Sequence, residues 1–228
     1  LFRRAVGRVH RIAEESDLEP LCSPIEDQRQ MGSCVANAAV GALEFLEKKD
    51  NVPFVDLSRL MVYYNARAFR GLENQDQGCM IRDAMKTLAK FGTCHEATWP
   101  YQESLLFSRP DERAREEGSR HQIIEYRRLT TESEILSCLS EGYPVEFGLT
   151  LYSSFEPDDQ GFISDPHYGS EQTLGGHAML FVGHKRSIRR FKVRNSWGKW
   201  GKDGYCWISF DYIGKCGSDF WTIRRMEQ

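Results

Sequence analysis

The stretch QRQMGSC at residues 28–34 runs without interruption into VANAAVGALEFLEKK at residues 35–49. Apolar residues recur in the second segment at the spacing of one helix face, which predicts a helix over residues 34–49. Small residues occupy its other faces, so we expect this helix to be buried on nearly all sides. A glycine and a serine precede Cys34 and allow a tight entry, which places its thiol at the helix N-terminus. There, unpaired N–H groups and the helix dipole favour a thiolate, although a buried core cysteine is an equally good interpretation of this position alone.

The other predicted elements form a helical block followed by a block of strands. Capping residues and apolar spacing predict three more helices, at residues 58–70, 80–91 and 131–139. Short apolar segments bounded by glycines, prolines and turn-forming residues predict strands at residues 144–151, 177–183, 190–195 and 205–210. A helical half followed by a β-rich half predicts an α+β fold built as two lobes.

Between the two blocks, residues 108–121 carry four acidic and four basic side chains and no apolar face. Such a pattern is typical of a solvated surface segment, so we place the lobe boundary just after it. The helical lobe then comprises residues 21–122 and the β-rich lobe residues 123–228. Residues 1–20 form an N-terminal arm, with four arginines and no acid in its first 12 positions. We interpret the arm either as a partly ordered terminus or as the remnant of a pro-segment.

The composition argues against several classes of protein. The 228 residues carry a formal net charge of −3, so we expect no basic surface for nucleic acid. No apolar run approaches the roughly 18 residues that cross a bilayer, and we find no signal-peptide pattern. The seven cysteines include no C-x-x-C motif, and Cys94-His95 alone cannot form a tetrahedral metal site. We therefore expect no metal and no cofactor.

Two further motifs could supply partners for a cysteine nucleophile. His177 follows two glycines and begins an apolar strand, which leaves its ring uncrowded on a rigid support. A histidine at a strand start is more often a packing residue, so His177 alone is only a candidate base. Strand alternation in FKVRNSWG turns Asn195 inward at the strand end, where its carboxamide can accept a hydrogen bond from an imidazole N–H. Trp197 stands beside it and can cover that bond from water.

Together these motifs resemble the papain-like, or cathepsin-type, cysteine proteases. The similar stretches, in the family's order, are QRQMGSC, WPY at residues 99–101, GGHAM at residues 175–179 and NSWGKWGKDGY at residues 195–205. His177 and Asn195 follow Cys34 by 143 and 161 residues, against roughly 130–150 in that family. The resemblance implies a papain-like two-lobed fold, with a helical lobe, a β-barrel-like lobe and the active-site cleft between them.

The resemblance also implies roles for individual residues. Cys34 would be the nucleophile and His177 the general base and then acid, oriented by Asn195. Gln28 would join the backbone N–H of Cys34 in an oxyanion hole. The implied substrate-binding positions are Gly32, Gly78, Cys79, Gly176 and Trp197. The implied partners are peptide or protein substrates and the chain's own N-terminal pro-segment as an inhibitor, and we expect a monomer.

The sequence departs from that family chiefly at its cysteines. Met31 stands where a cysteine is usual, Val35 where an aromatic residue is usual, and residues 160–176 lack the cysteine that would pair with Cys216. The usual disulfides cannot all form, so the pairing of the six cysteines other than Cys34 stays open. These departures suggest a divergent, bacterial branch, and they weaken the family's implication of a secreted or periplasmic location.

Two other functions stay open beside peptide hydrolysis. Transglutaminase-like acyl-transfer enzymes also use a cysteine and a histidine, but their third residue is usually aspartate and they lack a glutamine six residues before the cysteine. Asn195 and Gln28 therefore favour hydrolysis. A catalytically silent peptide-binding homologue would be indicated by a lost catalytic residue, and none of the four is lost.

Overall fold

The computed structural model describes residues 12–225. The helices in this range are α1 (Cys34–Lys49), α2 (Arg59–Ala68), α3 (Ile81–Lys90), α4 (Glu112–Gly118), α5 (Glu132–Ser140), the single-turn α6 (Trp200–Asp203) and α7 (Phe210–Cys216). The strands are β1 (Glu15–Asp17), β2 (Glu125–Leu129), β3 (Val145–Tyr152), β4 (Thr173–Lys185), β5 (Arg190–Arg194), β6 (Tyr205–Ser209) and β7 (Gly217–Arg224). Helices dominate the first half and strands the second, so the predicted α+β class is confirmed.

The four predicted helices form where their capping residues place them, to within two residues at either end. Ser58 accepts a hydrogen bond from the backbone N–H of Met61, which starts α2. A capping box between Thr131 and Glu134 starts α5. Gly92 follows α3 at a φ of 65°, the left-handed conformation that ends a helix at little cost in glycine.

The strands form one antiparallel sheet with the order β2-β7-β3-β4-β5-β6, and β1 pairs separately with β4. β2 and β6 are the two ends of this path and do not pair with each other, so the sheet is open in the part of the chain that the structure describes. The expectation of a β-barrel-like lobe is wrong in this respect. The sequence of β2, EYRRL, explains its position, because Arg127 and Arg128 are exposed and charged side chains protect an edge strand from further pairing.

The core has two apolar clusters, one on each face of this sheet. On one face, α1 and α3 pack against apolar residues of β4 and β7, and α2 packs against these two helices. On the other face, α5 and α7 cover β3, β4 and β5. Residues 35–47 of α1 are all buried, which confirms the prediction of a helix enclosed on nearly all sides. The placement of the lobe boundary after residue 122 stays a prediction.

The N-terminal arm meets the sheet at a distance from His177. Glu15 pairs with Lys185 and Asp17 with Gly183, at the C-terminal end of β4. Six residues of extended strand separate Gly183 from His177, about 20 Å at 3.3 Å per residue. Residues 1–11 of the arm lie outside the described range.

Residues 108–121 are not merely a solvated segment, because Asp111 caps α4 within them and Ala114 is fully buried. No helix in residues 12–225 has the length and apolar character needed to cross a bilayer. Within the same range, no group of three or more histidine, cysteine or acidic side chains is placed to hold a metal ion.

Candidate active site

Cys34 is the first residue of α1, and Ser33 stands at its N-cap position. Because α1 packs against β4, the backbone of Ala178, the residue after His177, is close enough to Cys34 to act on the pKa of its thiol, which it lowers. The first turn of α1 carries no acidic side chain, so no carboxylate there opposes a thiolate. The helix N-terminus and β4 therefore bring the thiol beside the histidine.

A cavity of about 580 Å³ opens beside Cys34. One wall comes from the end of α2 and the loop before α3, including Gly78 and Cys79. The opposite wall is the sheet, including Gly176 and His177 of β4. The thiol and the imidazole thus face the same space, which is open to an extended ligand.

Asn195 fixes the imidazole of His177. The distance from His177 Nε2 to Asn195 Oδ1 is 2.8 Å, and the backbone N–H of Ser196 donates to the same oxygen at 2.8 Å. A carboxamide oxygen can only accept, so the proton of the first bond belongs to Nε2. In the neutral ring Nδ1 is then unprotonated and can accept a proton.

Trp197 shields this hydrogen bond. Its ring stacks on His177 with centroids 4.5 Å apart and planes 25° apart. Phe155 and Trp200 pack edge-on against Trp197, with centroids 6.2 and 5.1 Å away. His177 is only 7% exposed and Asn195 only 3%. Water therefore has little access to compete for the bond.

Burial dominates the electrostatics of the pair. It raises the pKa of the Cys34 thiol, with nearby backbone groups opposing the shift and the charge of Glu146 adding to it. It lowers the pKa of His177 to about 4, against the effect of the bond to Asn195. Desolvation alone thus favours a neutral thiol beside a neutral imidazole. A thiolate–imidazolium pair depends on the attraction between its charges, about 4 kcal/mol at 4 Å for an effective dielectric constant near 20.

The carboxamide of Gln28 is held in a single orientation. Ser196 Oγ donates to Gln28 Oε1 at 2.8 Å, and Gln28 Nε2 donates to the carbonyl of Met31 at 3.0 Å. An amide nitrogen carries two protons, so a second N–H of Gln28 remains for another acceptor. The backbone of Gln28 is bonded to Ser196 as well, its N–H donating to the Ser196 carbonyl at 2.9 Å.

Tyr101 ties the loop before Cys34 together. Its hydroxyl donates to the carbonyl of Gln28 at 2.9 Å and is also hydrogen-bonded to Ser33 Oγ. Asn37 Nδ2 donates to the carbonyl and the hydroxyl of Ser33, both at 3.0 Å. From the sequence, the WPY motif at residues 99–101 served only as part of the family resemblance. The structure shows that its tyrosine, Tyr101, bonds to Gln28 and Ser33.

A second network joins this loop to the loop that precedes α3. Asp76 accepts from the backbone N–H of Gly32 at 2.9 Å and from the hydroxyl of Tyr63. The same Tyr63 hydroxyl accepts from the backbone N–H of Gly78 at 3.1 Å. A Cβ at Gly32 would lie 3.0 Å from the Gly78 nitrogen, so this close approach favours glycine. Asp76 and Tyr63 carried no recognisable sequence signal.

The sequence comparisons bear directly on these residues. A model of the papain family cysteine proteases matches residues 13–222. The chain belongs to this family. An uncharacterized peptidase C1-like protein of Acanthamoeba polyphaga mimivirus is 35% identical over 216 residues, covering 88% of this chain and 69% of the relative. Cathepsin L2 of Homo sapiens is 25% identical over 205 residues, covering 86% of this chain and only 59% of the cathepsin.

Solved structures of papain-family proteins share the fold. Xylellain, a cysteine protease from Xylella fastidiosa, matches with a TM-score of 0.89 and 34% identity, covering 95% of this chain and 87% of xylellain. A cysteine protease of Carica candamarcensis, solved in complex with E-64, matches with a TM-score of 0.70 and 21% identity over 94% of this chain and 99% of its own. The papain-like fold is thus confirmed, and the chain is a papain-family cysteine peptidase, a hydrolase. Its assignment to a bacterial branch stays a prediction.

This papain-family chain contains no disulfide among its seven cysteines, all of which lie within the described residues. The six cysteines other than Cys34, whose pairing the sequence left open, are free thiols in the structure. Three of them are buried: Cys94, Cys138 and Cys206. Burial raises the pKa of Cys206 above its ordinary value, as expected for a thiol that packs as an apolar side chain. The hydrogen bonds of Asp76 and Tyr63 join two active-site loops without a disulfide.

The predicted substrate-binding residues occupy different positions around the papain-family cleft. Gly78, Cys79 and Gly176 line the cavity, and no atom lies within 4 Å of a Cβ built on Gly176. Gly32 lies behind the cavity wall, against Gly78. Trp197 stacks on His177 and does not line the cavity.

Proposed function

We propose that this papain-family chain hydrolyses peptide bonds through a Cys-His-Asn triad of Cys34, His177 and Asn195. The observation that carries the proposal is the bond from His177 Nε2 to Asn195 Oδ1. It leaves Nδ1 as the acceptor of the imidazole, in a cavity that His177 shares with Cys34. A nucleophile, a base and a group that orients the base are the components that covalent catalysis requires.

The acylation step moves one proton and forms one bond. The proton of Cys34 Sγ passes to His177 Nδ1, and Sγ bonds to the carbonyl carbon of the peptide. The carbonyl π electrons move onto oxygen, which becomes an oxyanion. When this intermediate collapses, the C–N bond breaks and the imidazolium gives its proton to the departing amine. A thioester at Cys34 remains.

Deacylation reverses these roles with water. His177 takes a proton from a water molecule as the water oxygen attacks the thioester carbonyl, and the Cys34 thiolate is the leaving group. The oxyanion of both steps would accept from the backbone N–H of Cys34 and from the second N–H of Gln28 Nε2. Donors fixed before the reaction stabilise such a charge without reorganisation, and Gln28 is held by Ser196 and Met31 in this way.

The test is peptide cleavage by variants of the nucleophile. We expect Cys34→Ala and Cys34→Ser to abolish hydrolysis of an unstructured peptide while leaving the circular dichroism and thermal unfolding of the protein unchanged. Cys22→Ala is the matched control, because Cys22 lies outside the cavity and contacts the carbonyl of Leu18. Equal hydrolysis by Cys34→Ala and the wild type would overturn the proposal.

The same assay separates the two alternative functions. A transglutaminase-like enzyme would convert an acyl donor to an amide when a primary amine is added, at the expense of the hydrolysis product. A silent peptide-binding homologue would bind the peptide without cleaving it. We expect hydrolysis products with and without added amine, since water is the proposed acceptor.

We further propose that the N-terminal arm inhibits the enzyme as the remnant of a pro-segment, and that the enzyme acts as a monomer. At the start of β1, Glu15 pairs with Lys185, which lies eight residues, or about 26 Å, from His177 along β4. Eleven extended residues span up to about 36 Å, enough to reach the cavity from there. We expect removal of residues 1–11 to raise kcat/KM for a short peptide, measured at a protein concentration where light scattering gives the monomer mass. Unchanged kcat/KM would argue against inhibition by the arm, and a dimer mass against the monomer.

A further inference from the structure

Glu146 is an acidic residue enclosed in the middle of the sheet. It is the one charged residue of β3, whose sequence is VEFGLTLY, and it is 1% exposed. Neither of its carboxylate oxygens has a hydrogen-bond partner among the described residues. Buried carboxylates are normally paired with a cation or with hydrogen-bond donors, because an unpaired buried charge is expensive. Glu146 therefore lacks the partner that its burial demands.

The register of the sheet aligns Glu146 with the floor of the cavity. Side chains two residues apart on a strand share a face, so Glu146 points to the same side as Gly148. Gly148 pairs with Ala178 on one side and with Ser218 on the other, and all three line the cavity. This row of small residues lies two residues, about 7 Å, after Glu146 along β3. Glu146 does not itself line the cavity, and only the small side chains of this row lie between the cavity and its carboxyl group.

The electrostatics of the cavity thiols agree with this placement of Glu146. Its charge contributes to raising the pKa of both Cys34 and Cys79, two residues that line the cavity. Burial and the charge of Asp219 raise the pKa of Glu146 itself well above its ordinary value. This is the direction expected for a carboxyl group with no cation beside it.

The basic residues near the cavity are already engaged. Arg67 donates to the carbonyls of Gln75 and Leu106 at 2.7 and 2.6 Å, and also to that of Tyr63. Arg70 Nε donates to Asp83 Oδ2 at 2.6 Å. Neither guanidinium is free to neutralise Glu146.

We propose that Glu146 is a specificity-determining residue, which selects substrates that insert an arginine side chain into the cavity and pair with its carboxylate. The inference rests on the proposed peptidase function and names its substrate class. Arginine is favoured over lysine, because the two free oxygens of Glu146 match the planar fork of a guanidinium. The apolar stem of the arginine would lie against Val35 and Ile81, which also line the cavity.

Asp219 is the acidic residue that lines the cavity itself, but it is already partnered. Its Oδ1 accepts from Trp221 Nε1 at 2.9 Å, and Arg128 Nη2 lies 3.6 Å from the same atom. We therefore assign the preference for arginine to Glu146, and we expect Asp219→Asn to change that preference little.

The experiment compares arginine with citrulline, its uncharged isostere. Tripeptide amides with a fluorogenic leaving group would carry arginine, citrulline or norleucine at each of the three positions in turn. For the wild type we expect one position at which kcat/KM for arginine exceeds that for citrulline by about 10-fold or more, the size of one charged hydrogen-bonded pair. In Glu146→Gln we expect that ratio to fall to about 1 to 2, and any general change in catalysis cancels from the ratio.

The matched control is Glu132→Gln, which removes an exposed acid of α5 and leaves the cavity unchanged. Retention of the arginine preference in Glu146→Gln, or its loss in Asp219→Asn alone, would overturn the assignment. If Glu146→Gln does not fold, the wild-type ratio decides, because equal rates for arginine and citrulline at all three positions refute the proposal. Absence of cleavage of every peptide by the wild type would instead refute the peptidase function itself.

Discussion

The hydroxyl of Tyr101 donates to the carbonyl oxygen of Gln28 at 2.9 Å. The two residues are 73 positions apart in the sequence, and the bond ties the start of the loop before Cys34 to the segment that carries Tyr101. The same hydroxyl is bonded to Ser33 Oγ, next to Cys34. One phenol therefore positions both ends of the loop that presents the thiol and the proposed oxyanion donor.

Removal of this hydroxyl is expected to weaken both catalysis and folding. In Tyr101→Phe we expect the free energy of unfolding to fall by about 1–2 kcal/mol, since two partly buried hydrogen bonds are lost, and kcat/KM to fall about 10-fold. Urea unfolding and peptide hydrolysis measure the two effects. Tyr64→Phe is the control, because no described residue bonds its hydroxyl, and it should change stability by less than about 0.5 kcal/mol. Equal effects of the two substitutions would argue against a positioning role for Tyr101.

Asn195 should act on kcat through the imidazole. Asn195→Ala removes the acceptor of His177 Nε2 and frees the ring to rotate or to change tautomer. We expect kcat to fall by about 100-fold with KM changed little, the range seen when general acid–base groups are misplaced. Steady-state kinetics on one peptide provide the measurement. A variant with unchanged kcat would show that the 2.8 Å bond plays no part in the reaction.

Gln28 and Ser196 are hydrogen-bonded to each other, and replacing each with alanine should lower kcat by a different factor. Gln28→Ala removes a proposed oxyanion donor, so we expect kcat to fall by about 100- to 1000-fold. Ser196→Ala removes only the bond that fixes Gln28 Oε1, and we expect a loss of about 10-fold or less. A larger loss in Ser196→Ala than in Gln28→Ala would place the important group at Ser196.

The stability of the fold should decrease in mild acid because His177 resists protonation. Burial lowers the pKa of His177 to about 4 in the folded chain, against an ordinary value of 6.5. Between these values the unfolded chain binds more protons than the folded one, so the stability contribution is present above about pH 6.5 and is lost as the pH falls towards 4. Between about pH 7 and pH 4.5 this loss amounts to about 2 kcal/mol.

Urea unfolding at those two pH values measures the effect. His177→Gln cannot take up the proton, so its free energy of unfolding should fall by about 2 kcal/mol less than that of the wild type over the same interval. Each protein is compared with its own value near pH 7, which cancels any general destabilisation by the substitution. An identical fall in both proteins would contradict the role given to His177.

Much of the fold could be predicted because local signals and tertiary packing agree. The helix over residues 34–49 has the predicted bounds, since its apolar and small residues suit a helix enclosed by the core. The strands β2 and β7 were not predicted. β2 is an edge strand rich in charge, and β7 begins with the sequence GSD, so neither has the apolar alternation that marks a strand. Closure of the sheet was wrongly expected, because whether two edge strands meet is decided by the whole sheet.

The candidate site likewise contains residues that the sequence could identify and residues that it could not. Cys34, His177, Asn195 and Gln28 could be selected from motifs, because each motif couples a reactive side chain to a recognisable turn or helix start. Tyr101 and Asp76 could not be assigned contacts, since their partners are distant in sequence. Glu146 had a signal that sequence reasoning missed. It is a lone acid inside a segment that alternation and composition mark as a buried strand.

The central claim is that peptide cleavage proceeds through a thioester on Cys34. Its most direct test is to mix the wild type with an activated peptide ester, quench the reaction in acid within the first turnover, and measure the intact protein and its tryptic peptides by mass spectrometry. We expect one acyl group per chain, located on the peptide that contains Cys34 and absent from Cys34→Ala. An acyl group on another residue would contradict the account. So would steady peptide hydrolysis by the wild type if rapid quenching shows no acylated protein, either in the wild type or in a variant that lacks His177.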